Sequence, residues 1–283
     1  MPGPDPAFVL DLALIEQTVR EAGAIARRYF EGSFKSWDKG RGQPVTEADL
    51  AVNRFLHGAL RAAQPDYGWL SEESEDDPAR LGARDTFVVD PIDGTVAFLK
   101  KKPHFTISVA VVREGRPTSG VVLNPITGEC FTAVLGGGAK LNGAPIAVST
   151  RENLEGCHML AGKGLFANPG QGGPAWSEPP FSQRPFSPWP AMEVETRSSI
   201  AYRMALVAGG GFDAMLALSA KHDWDMAAGD LIVREAGGCV TDHRGGSFRY
   251  NGPEPVQPSI VCAGPRLHAQ LVERLRNVPL SRH

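Results

Sequence analysis

One seven-residue run constrains this chain more than any other: Val89-Asp90-Pro91-Ile92-Asp93-Gly94-Thr95. The apolar Thr86–Val89 segment has the texture of a strand and runs straight into two carboxylates. Pro91 fixes its own φ and removes one ladder donor, so the strand is expected to end there. Two carboxylates forced to one side of a turn repel each other unless a cation lies between them. They are hard oxygen donors of the kind Mg²⁺ takes. Gly94 and Thr95 then offer backbone N–H groups where a helix begins, a natural seat for phosphate. An Asp-rich surface turn is the plainer alternative.

The flanking chain predicts a mixed α/β protein. Apolar positions at helical spacing (Leu14, Ile15, Val19, Ala22, Ile25, Ala26, Tyr29) predict an amphipathic helix from Phe8 to Phe30, stopped near Gly32. Lys35 to Gln43 is polar and glycine-rich, and reads as a loop. Thr46 is placed to cap a second helix, with Asp49 in the capping-box position and an apolar stripe of Leu50, Phe55, Leu56, Ala59 and Leu60. Phe105–Val112, Ser119–Leu123 and Cys130–Leu135 read as closely spaced strands of an antiparallel meander. Beyond about residue 150 the texture changes. Arg197–Ala208 and Met226–Ala236 look helical, Cys239–Thr241 and Ser259–Ala263 look like strands, and Pro265 opens a last helix. Gly237-Gly238 closes the helix before it. Residues 168–190 hold seven prolines and no period, and read as a long surface loop.

Composition excludes several classes. Twenty-nine Lys and Arg against 32 Asp and Glu leave a net charge of −3 over 283 residues. That balance argues against a surface that coats nucleic acid or a polybasic membrane patch. Cys130, Cys157, Cys239 and Cys262 are scattered with no C-x-x-C pair, against a zinc knuckle or a disulfide scaffold. No stretch approaches the ~18 apolar residues of a membrane span. The Met-Pro-Gly-Pro-Asp-Pro start lacks a basic n-region, so a cytoplasmic location is expected.

Three further acidic groups accompany the central run. Glu72-Glu73 opens an acidic stretch of a kind that is usually a solvated face, but Gly68-Trp69-Leu70 before it has the character of a strand that delivers the first carboxylate inward. Asp225, in His222-Asp223-Trp224-Asp225, stands at the start of the Met226 helix, where an Asp also serves as a cap. Asp49 carries the same capping alternative.

In order, Val45-Thr46-Glu47-Ala48-Asp49, Glu72-Glu73-Ser74, Asp90-Pro91-Ile92-Asp93-Gly94-Thr95 and Trp224-Asp225-Met226-Ala227-Ala228-Gly229 resemble the motifs of the inositol monophosphatase family, the Mg²⁺-dependent, lithium-sensitive phosphomonoesterases. The resemblance spans roughly Leu14 to Ala263. It implies an α/β fold of the inositol monophosphatase and fructose-1,6-bisphosphatase type, a layered α/β/α/β/α sandwich. It implies an N-terminal α+β part (1–150) with a large antiparallel sheet and most metal ligands, and a C-terminal α/β part (151–283) that carries Asp225 and substrate-binding residues. Glu72, Asp90 and the Ile92 carbonyl would hold one Mg²⁺, and Asp90, Asp93 and Asp225 a second, with a third, weaker ion at Glu72. Thr95, oriented by Asp49, would hydrogen-bond the attacking water, and the Gly94 and Thr95 amides would bind phosphate. That division of labour is coherent for two-metal phosphoryl transfer. A homodimer is expected from the same resemblance.

The substrate is read from departures. Where true inositol monophosphatases carry a glutamate about seven residues before the Trp-Asp aspartate, this chain has Ala217 and Leu218. An apolar side chain leaves polyol hydroxyls unpaired, at about 1–3 kcal/mol each. Phe98-Leu99-Lys100-Lys101-Lys102-Pro103-His104-Phe105-Thr106 is similar to a stretch of the bacterial 3′(2′),5′-bisphosphate nucleotidases, and a lysine cluster suits a second phosphate. Ser198-Ser199 falls where that subfamily has Gly-Ser-Ser, with Arg197 replacing the glycine. Lys221 and Arg203 are further candidates for the second phosphate. The favoured substrate is a small molecule, 3′-phosphoadenosine 5′-phosphate; the alternatives are inositol 1-phosphate, fructose-1,6-bisphosphate and histidinol phosphate. A catalytically silent phosphoester sensor and a scaffold using the proline-rich loop are the non-enzyme readings.

Overall fold

The structure, a computed structural model, describes residues 3–40, 43–166 and 189–280. The proline-rich stretch 168–188 lies outside them. Helix α1 (Pro6–Glu31) is capped by the Asp5 side chain, which accepts from the Ala7 amide at 2.8 Å, and ends at Gly32. Segment 35–43, read above as a loop, instead contributes strand β1 (Ser36–Asp38), paired antiparallel with β2 (Pro44–Thr46). All three residues of β1 are exposed, so no apolar period marks it in the sequence. Helix α2 (Glu47–Ala63) begins with the expected capping box of Thr46 and Asp49.

A seven-stranded sheet follows, β3 (Gly68–Ser71), β4 (Asp85–Asp93), β5 (Thr106–Arg113), β6 (Arg116–Leu123), β7 (Cys130–Val134), β8 (Ala139–Leu141) and β9 (Ala144–Pro145), in chain order. All neighbours are antiparallel except β3 and β4, which are parallel. The short helix α3 (Thr95–Leu99) separates β4 from β5. The second half adds β10 (His158–Leu160), β11 (Glu193–Glu195), α4 (Ile200–Ala208), β12 (Ala214–Ala217), β13 (Lys221–His222), α5 (Asp223–Glu235), β14 (Cys239–Thr241), β15 (Val256–Gln257), β16 (Ile260–Ala263) and α6 (Pro265–Leu275). Five of these strands form a mixed sheet in the order β11-β10-β12-β16-β14.

Strand alternation sorts the side chains into layers. Phe87, Val89, Ile107, Val109 and Val111 face α1 and α2 through Ile15, Val19, Val52 and Leu56. Val88, Ala110, Val112 and Val122 face the other way, onto Met204, Val207, Leu231 and Ile232 of α4 and α5. Met215, Val240 and Ile260 close that core from the second sheet, whose far face packs Leu216 and Val261 against Leu267, Leu271 and Leu275 of α6. The result is the α/β/α/β/α sandwich. Each fully buried aliphatic or aromatic side chain contributes roughly 1.5–3 kcal/mol over leaving it in water. Small residues set the middle layer's spacing. A Cβ on Gly120 of β6 would meet the Ala228 Cα at 3.1 Å, and one on Gly229 would meet the Met204 Cβ at 2.9 Å. The Ala-Ala-Gly half of the Trp-Asp motif therefore serves packing, while its Asp serves the cleft. No helix among the described residues is long and apolar enough to cross a membrane.

Candidate active site

Strand β4 does not stop at Pro91. Its register against β5 shifts, with Asp90 opposite Ser108 and Asp93 opposite Thr106. Pro91 and Ile92 thus face the single residue Ile107, a β-bulge that hides the missing proline donor. In a regular strand, residues three apart point to opposite faces. The extra residue restores parity and turns both carboxylates to one cleft.

Asp225 reaches that cleft from the first turn of α5. Carboxylate oxygens of Asp90, Asp93 and Asp225 lie within 4.8 Å of one another. They line an opening of about 220 Å³ together with Glu72, Gly94, Thr95 and Ser198. Glu72 arrives on the chain leaving β3, whose parallel register on β4 brings its amide to the Val89 carbonyl at 3.3 Å. Of the acidic pair, Glu72 lines the cleft, while Glu73 pairs with Lys39 at 2.5 Å; the Lys39 ammonium is 3.7 Å from Glu72.

The individual side chains are held firmly. Asp90 accepts from the Ile92 amide at 3.0 Å, bridging Pro91. Asp93 accepts from the Ser199 hydroxyl at 2.6 Å and from the Ile200 and Ala201 amides at 3.2 and 2.6 Å, so it seats the N-terminus of α4. Asp225 accepts from the His222 amide at 2.9 Å. Asp49 accepts from the Thr46 amide at 2.9 Å and the Thr46 hydroxyl at 2.5 Å. The Thr95 hydroxyl lies 3.2 Å from both Asp49 Oδ1 and the Ile92 carbonyl. Gly94 adopts φ +99°, and a Cβ there would meet the His104 carbonyl at 3.1 Å, so only glycine turns this corner.

Electrostatically the cleft is strained. Asp90 and Asp225 are pushed well above the usual carboxylate range, chiefly by burial and then by Glu72 and Asp93, with Asp225 adding to the push on Asp90. Burial raises Asp93 as well, opposed by its hydrogen bonds to Ser199, Ala201 and Ile200. Burial also lifts Glu72 to about 7, against the pull of Lys39, and Asp49 to about 6, against its bonds to Thr46. A buried, unpaired charge costs on the order of several kcal/mol. An all-oxygen set of crowded carboxylates is the donor chemistry of a hard divalent cation.

The other candidates are placed differently. Ser198 is exposed at the cleft, but Ser199 is fully buried, caps α4 and bonds Asp93 and Thr106. Lys101 does not face the cleft. Its ammonium donates to the Phe30 and Gly32 carbonyls and lies 4.7 Å over the Phe34 ring, tying down the end of α1. The lysine run expected near a second phosphate is therefore broken at its centre, because unpaired carbonyls at a helix end offered a nearer partner. Lys221 turns onto Ser219 and Ala220, 2.8 Å from the Ser219 hydroxyl. The Arg203 guanidinium donates to the Arg197 carbonyl. Both cations feel the site: Asp225 and Asp93 oppose the burial that lowers Lys221, and Asp93 opposes the burial that lowers Arg203. Ala217 and Leu218 lie in or against the apolar core of the second sheet.

Three residues escape the sequence reading. Lys39 lies in the supposed loop and carries no local signal. Asn53 had one, since it stands one helical turn after Asp49 on the same face. Its side chain receives the Ser71 hydroxyl at 2.8 Å and donates to the Glu73 carbonyl at 3.1 Å, so α2 steadies the Glu72 segment. The third, Arg80, is buried outside the cleft.

Comparison with known proteins agrees with the geometry. Residues 10–280 match the model of the inositol monophosphatase family. The chain belongs to that family. The inositol-1-monophosphatase of Rhizobium meliloti is 35% identical over 266 residues, covering 93% of this chain and 94% of that one. The Nus factor SuhB of Pasteurella multocida is 31% identical over 284 residues, covering 95% and 96%. The crystal structure of the extragenic suppressor protein SuhB from Bartonella henselae superposes with a TM-score of 0.80 at 30% identity, covering 95% of this chain and all of that one. Inositol monophosphatase family members are metal-dependent phosphatases, typically with Mg²⁺, and this chain is an enzyme of that class.

Proposed function

We propose that the chain is a hydrolase of small phosphate monoesters served by two or three Mg²⁺ ions, and that its favoured ester carries a second phosphate, as 3′-phosphoadenosine 5′-phosphate does. The observation that carries the hydrolase reading is the convergence of Asp90, Asp93 and Asp225 within 4.8 Å, beside the Thr95–Asp49 hydrogen bond. The crowded oxygen set fits the ion. Glu72, Asp90 and the Ile92 carbonyl would hold one Mg²⁺; Asp90, Asp93 and Asp225 a second; Glu72 would share a third. Bound there, Mg²⁺ neutralises phosphate charge and lowers the pKa of a water.

The protein's own groups do the rest. With Asp49 near 6, its carboxylate is ionised at neutral pH and accepts a hydrogen bond from the Thr95 hydroxyl. The Thr95 oxygen then has lone pairs free to accept from the attacking water and aim it. The Gly94 and Thr95 amides bind phosphate oxygens. Ser198, Ser199, Lys221, Asp93 and Asp225 form the substrate side, Ser199 through its hold on Asp93.

Two features favour the bisphosphate over a polyol. No carboxylate stands at Ala217 or Leu218 to accept from ring hydroxyls. Lys221 supplies positive charge toward Asp225 and Asp93, and Arg203 toward Asp93. The R. meliloti relative named inositol-1-monophosphatase supports inositol 1-phosphate as the second reading. A phosphate-release panel over bisphosphate nucleotides, inositol phosphates and sugar phosphates, with and without Mg²⁺ and Li⁺, separates them. Faster turnover of inositol 1-phosphate at matched Mg²⁺ overturns the bisphosphate preference. Release that ignores Mg²⁺ overturns the whole reading. The reading includes a cytoplasmic setting, which suits four free thiols, and a homodimer, checked by light scattering.

A further inference from the structure

Arg80 is 3% exposed and lies outside the cleft. Its guanidinium grips Asp76 bidentately, Nε to Oδ1 at 2.6 Å and Nη2 to Oδ2 at 3.0 Å. Its remaining donors cross to the other half of the chain: Nη1 to the Asn251 Oδ1 at 2.6 Å and Nη2 to the Gly252 carbonyl at 3.1 Å. Asn251 passes the connection on. Its amide donates to Asp223 Oδ2 at 2.7 Å and its side-chain nitrogen to the Thr86 hydroxyl at 3.0 Å. Gln257 holds the other Asp223 oxygen at 2.8 Å. The space is reserved for this arrangement, because a Cβ on Gly68 would meet the Thr86 hydroxyl at 2.7 Å and the Arg80 Cβ at 3.0 Å.

The endpoints matter. Asp76 follows Glu72 on the chain leaving β3; Thr86 precedes Asp90 on β4; Asp223 precedes Asp225 in the first turn of α5. These three segments deliver the cleft carboxylates, and those carboxylates repel each other. Something must hold the segments together when no ion does.

We infer that Arg80, through Asp76 and Asn251, is a positioning residue that fixes the Glu72, Asp90 and Asp225 segments relative to one another and so sets the affinity for the divalent ions. This rests on the metal reading given above. Arginine suits the task because its rigid fork serves a carboxylate and two further acceptors at once, which a lysine point charge does not.

The test is Mn²⁺ binding followed by electron paramagnetic resonance on the full chain, beside Mg²⁺ titrations of phosphate release. Arg80→Met keeps the stem and removes the fork. We expect it to weaken Mn²⁺ binding roughly 10–100-fold, the usual effect of losing a group that orients a metal ligand, with kcat at saturating Mg²⁺ changed less than about threefold. Arg80→Lys should fall between wild type and Arg80→Met. Asn251→Gly, which tolerates the φ of +59° at that position, should behave like Arg80→Met. Should Arg80→Met fail to fold, Asp76→Asn at the 45%-exposed end of the pair takes its place, with a shift of about three- to tenfold expected. A wild-type Mn²⁺ isotherm reproduced unchanged by Asn251→Gly and by Arg80→Met or Asp76→Asn overturns the positioning role and leaves the metal reading intact. A wild type that binds no Mn²⁺ overturns both.

Discussion

The two walls of the cleft are built on opposite principles. The wall formed by α2, β3, β4 and α3 presents Asp49, Glu72, Asp90 and Asp93; Glu72 has the Lys39 ammonium at 3.7 Å, and Asp93 feels Arg203 from the opposite wall. The wall formed by residues 195–225 carries several cations, and they are engaged. Arg197 pairs with Glu195 at 2.9 Å and contacts His104; Arg203 holds the Arg197 carbonyl; Lys221 folds onto Ser219. One wall stores crowded negative charge, and the other, Asp225 apart, engages its cations internally and lends the first a scaffold through Ser199. Crowded charge at a buried site marks the place for a counter-ion.

The comparison is tested most severely at Asp90. Asp90→Asn removes the carboxylate that would serve both ions, and turnover should fall roughly a thousandfold, the several kcal/mol that metal stabilisation of the transition state is worth. The same change relieves repulsion from Glu72, Asp93 and Asp225, so the melting temperature in EDTA should rise. Phosphate release and a thermal melt read the two effects. A variant both inactive and less stable in EDTA would break the claim that this wall is strained.

Next in size is the dependence of metal stabilisation on pH. Glu72 is raised from 4.5 to about 7 and Asp49 from 3.8 to about 6, so the folded, metal-free protein holds protons that the unfolded chain has released. A raised carboxylate destabilises the fold progressively as pH climbs from its ordinary value to its folded value, and the loss is complete above the latter. Metal-free stability should therefore decline between about pH 4 and 7 on account of these groups. Mg²⁺ binds the deprotonated set, so its contribution runs the other way. At a hundredfold excess over Kd it amounts to about 2.7 kcal/mol. The Mg²⁺-induced rise in melting temperature should be several degrees at pH 8 and small at pH 5.5. An equal rise at both values would mean that the carboxylates are not the ligands.

How much of this was legible beforehand differs between the walls for the same reason. The first wall's chemistry is local. A capping box at Thr46–Asp49 and a glycine at the strand-to-helix corner are short-range backbone constraints, and each leaves its residue type in the sequence, whereas Pro91 reads as a strand end and the bulge that carries β4 past it depends on pairing with β5. Strands β5, β6 and β7, with alternating apolar residues, were legible too. The short strands β10, β11 and β12 were not: they run three or four residues, and tertiary pairing rather than period makes them strands. The second wall was legible at Asp225 and at Ser198, both of which line the cleft. Whether Lys101 or Lys221 faces the cleft depends on which carbonyls lie within reach, and no spacing rule encodes that. Glu72 is set apart from Glu73 in sequence by the strand-like Gly68-Trp69-Leu70 before it, and the parallel register of β3 on β4 delivers it to the cleft.

Ser199 joins the walls, and its removal should have a middling effect. Ser199→Ala deletes the hydroxyl that donates to Asp93 and that accepts from the Tyr202 amide as the cap of α4. Loss of a cap costs about 1 kcal/mol, seen as a lower melting temperature with or without metal. Freed of one donor, Asp93 should bind metal more weakly, raising the Mg²⁺ concentration for half-maximal rate about tenfold. Ser199→Thr keeps the hydroxyl and should recover most of the affinity. If Ser199→Ala moved only the KM for the ester, the residue would belong to the substrate after all.

The smallest effect should come from Lys101, the centre of the lysine run. Lys101 donates to two carbonyls at the end of α1 and stacks over Phe34, so Lys101→Met should lower stability by less than about 1 kcal/mol. It should leave the KM for a bisphosphate nucleotide unchanged. Lys221→Met removes an ammonium that lies in the field of Asp225 and Asp93, and on the bisphosphate reading it should raise that KM about tenfold while sparing a monophosphate. Measured side by side on the two esters, the pair isolates the balanced wall's share in recognition. A larger KM change at Lys101 than at Lys221 would return the second phosphate to the α3 side and dissolve the distinction between a wall that holds charge apart and a wall that reads it.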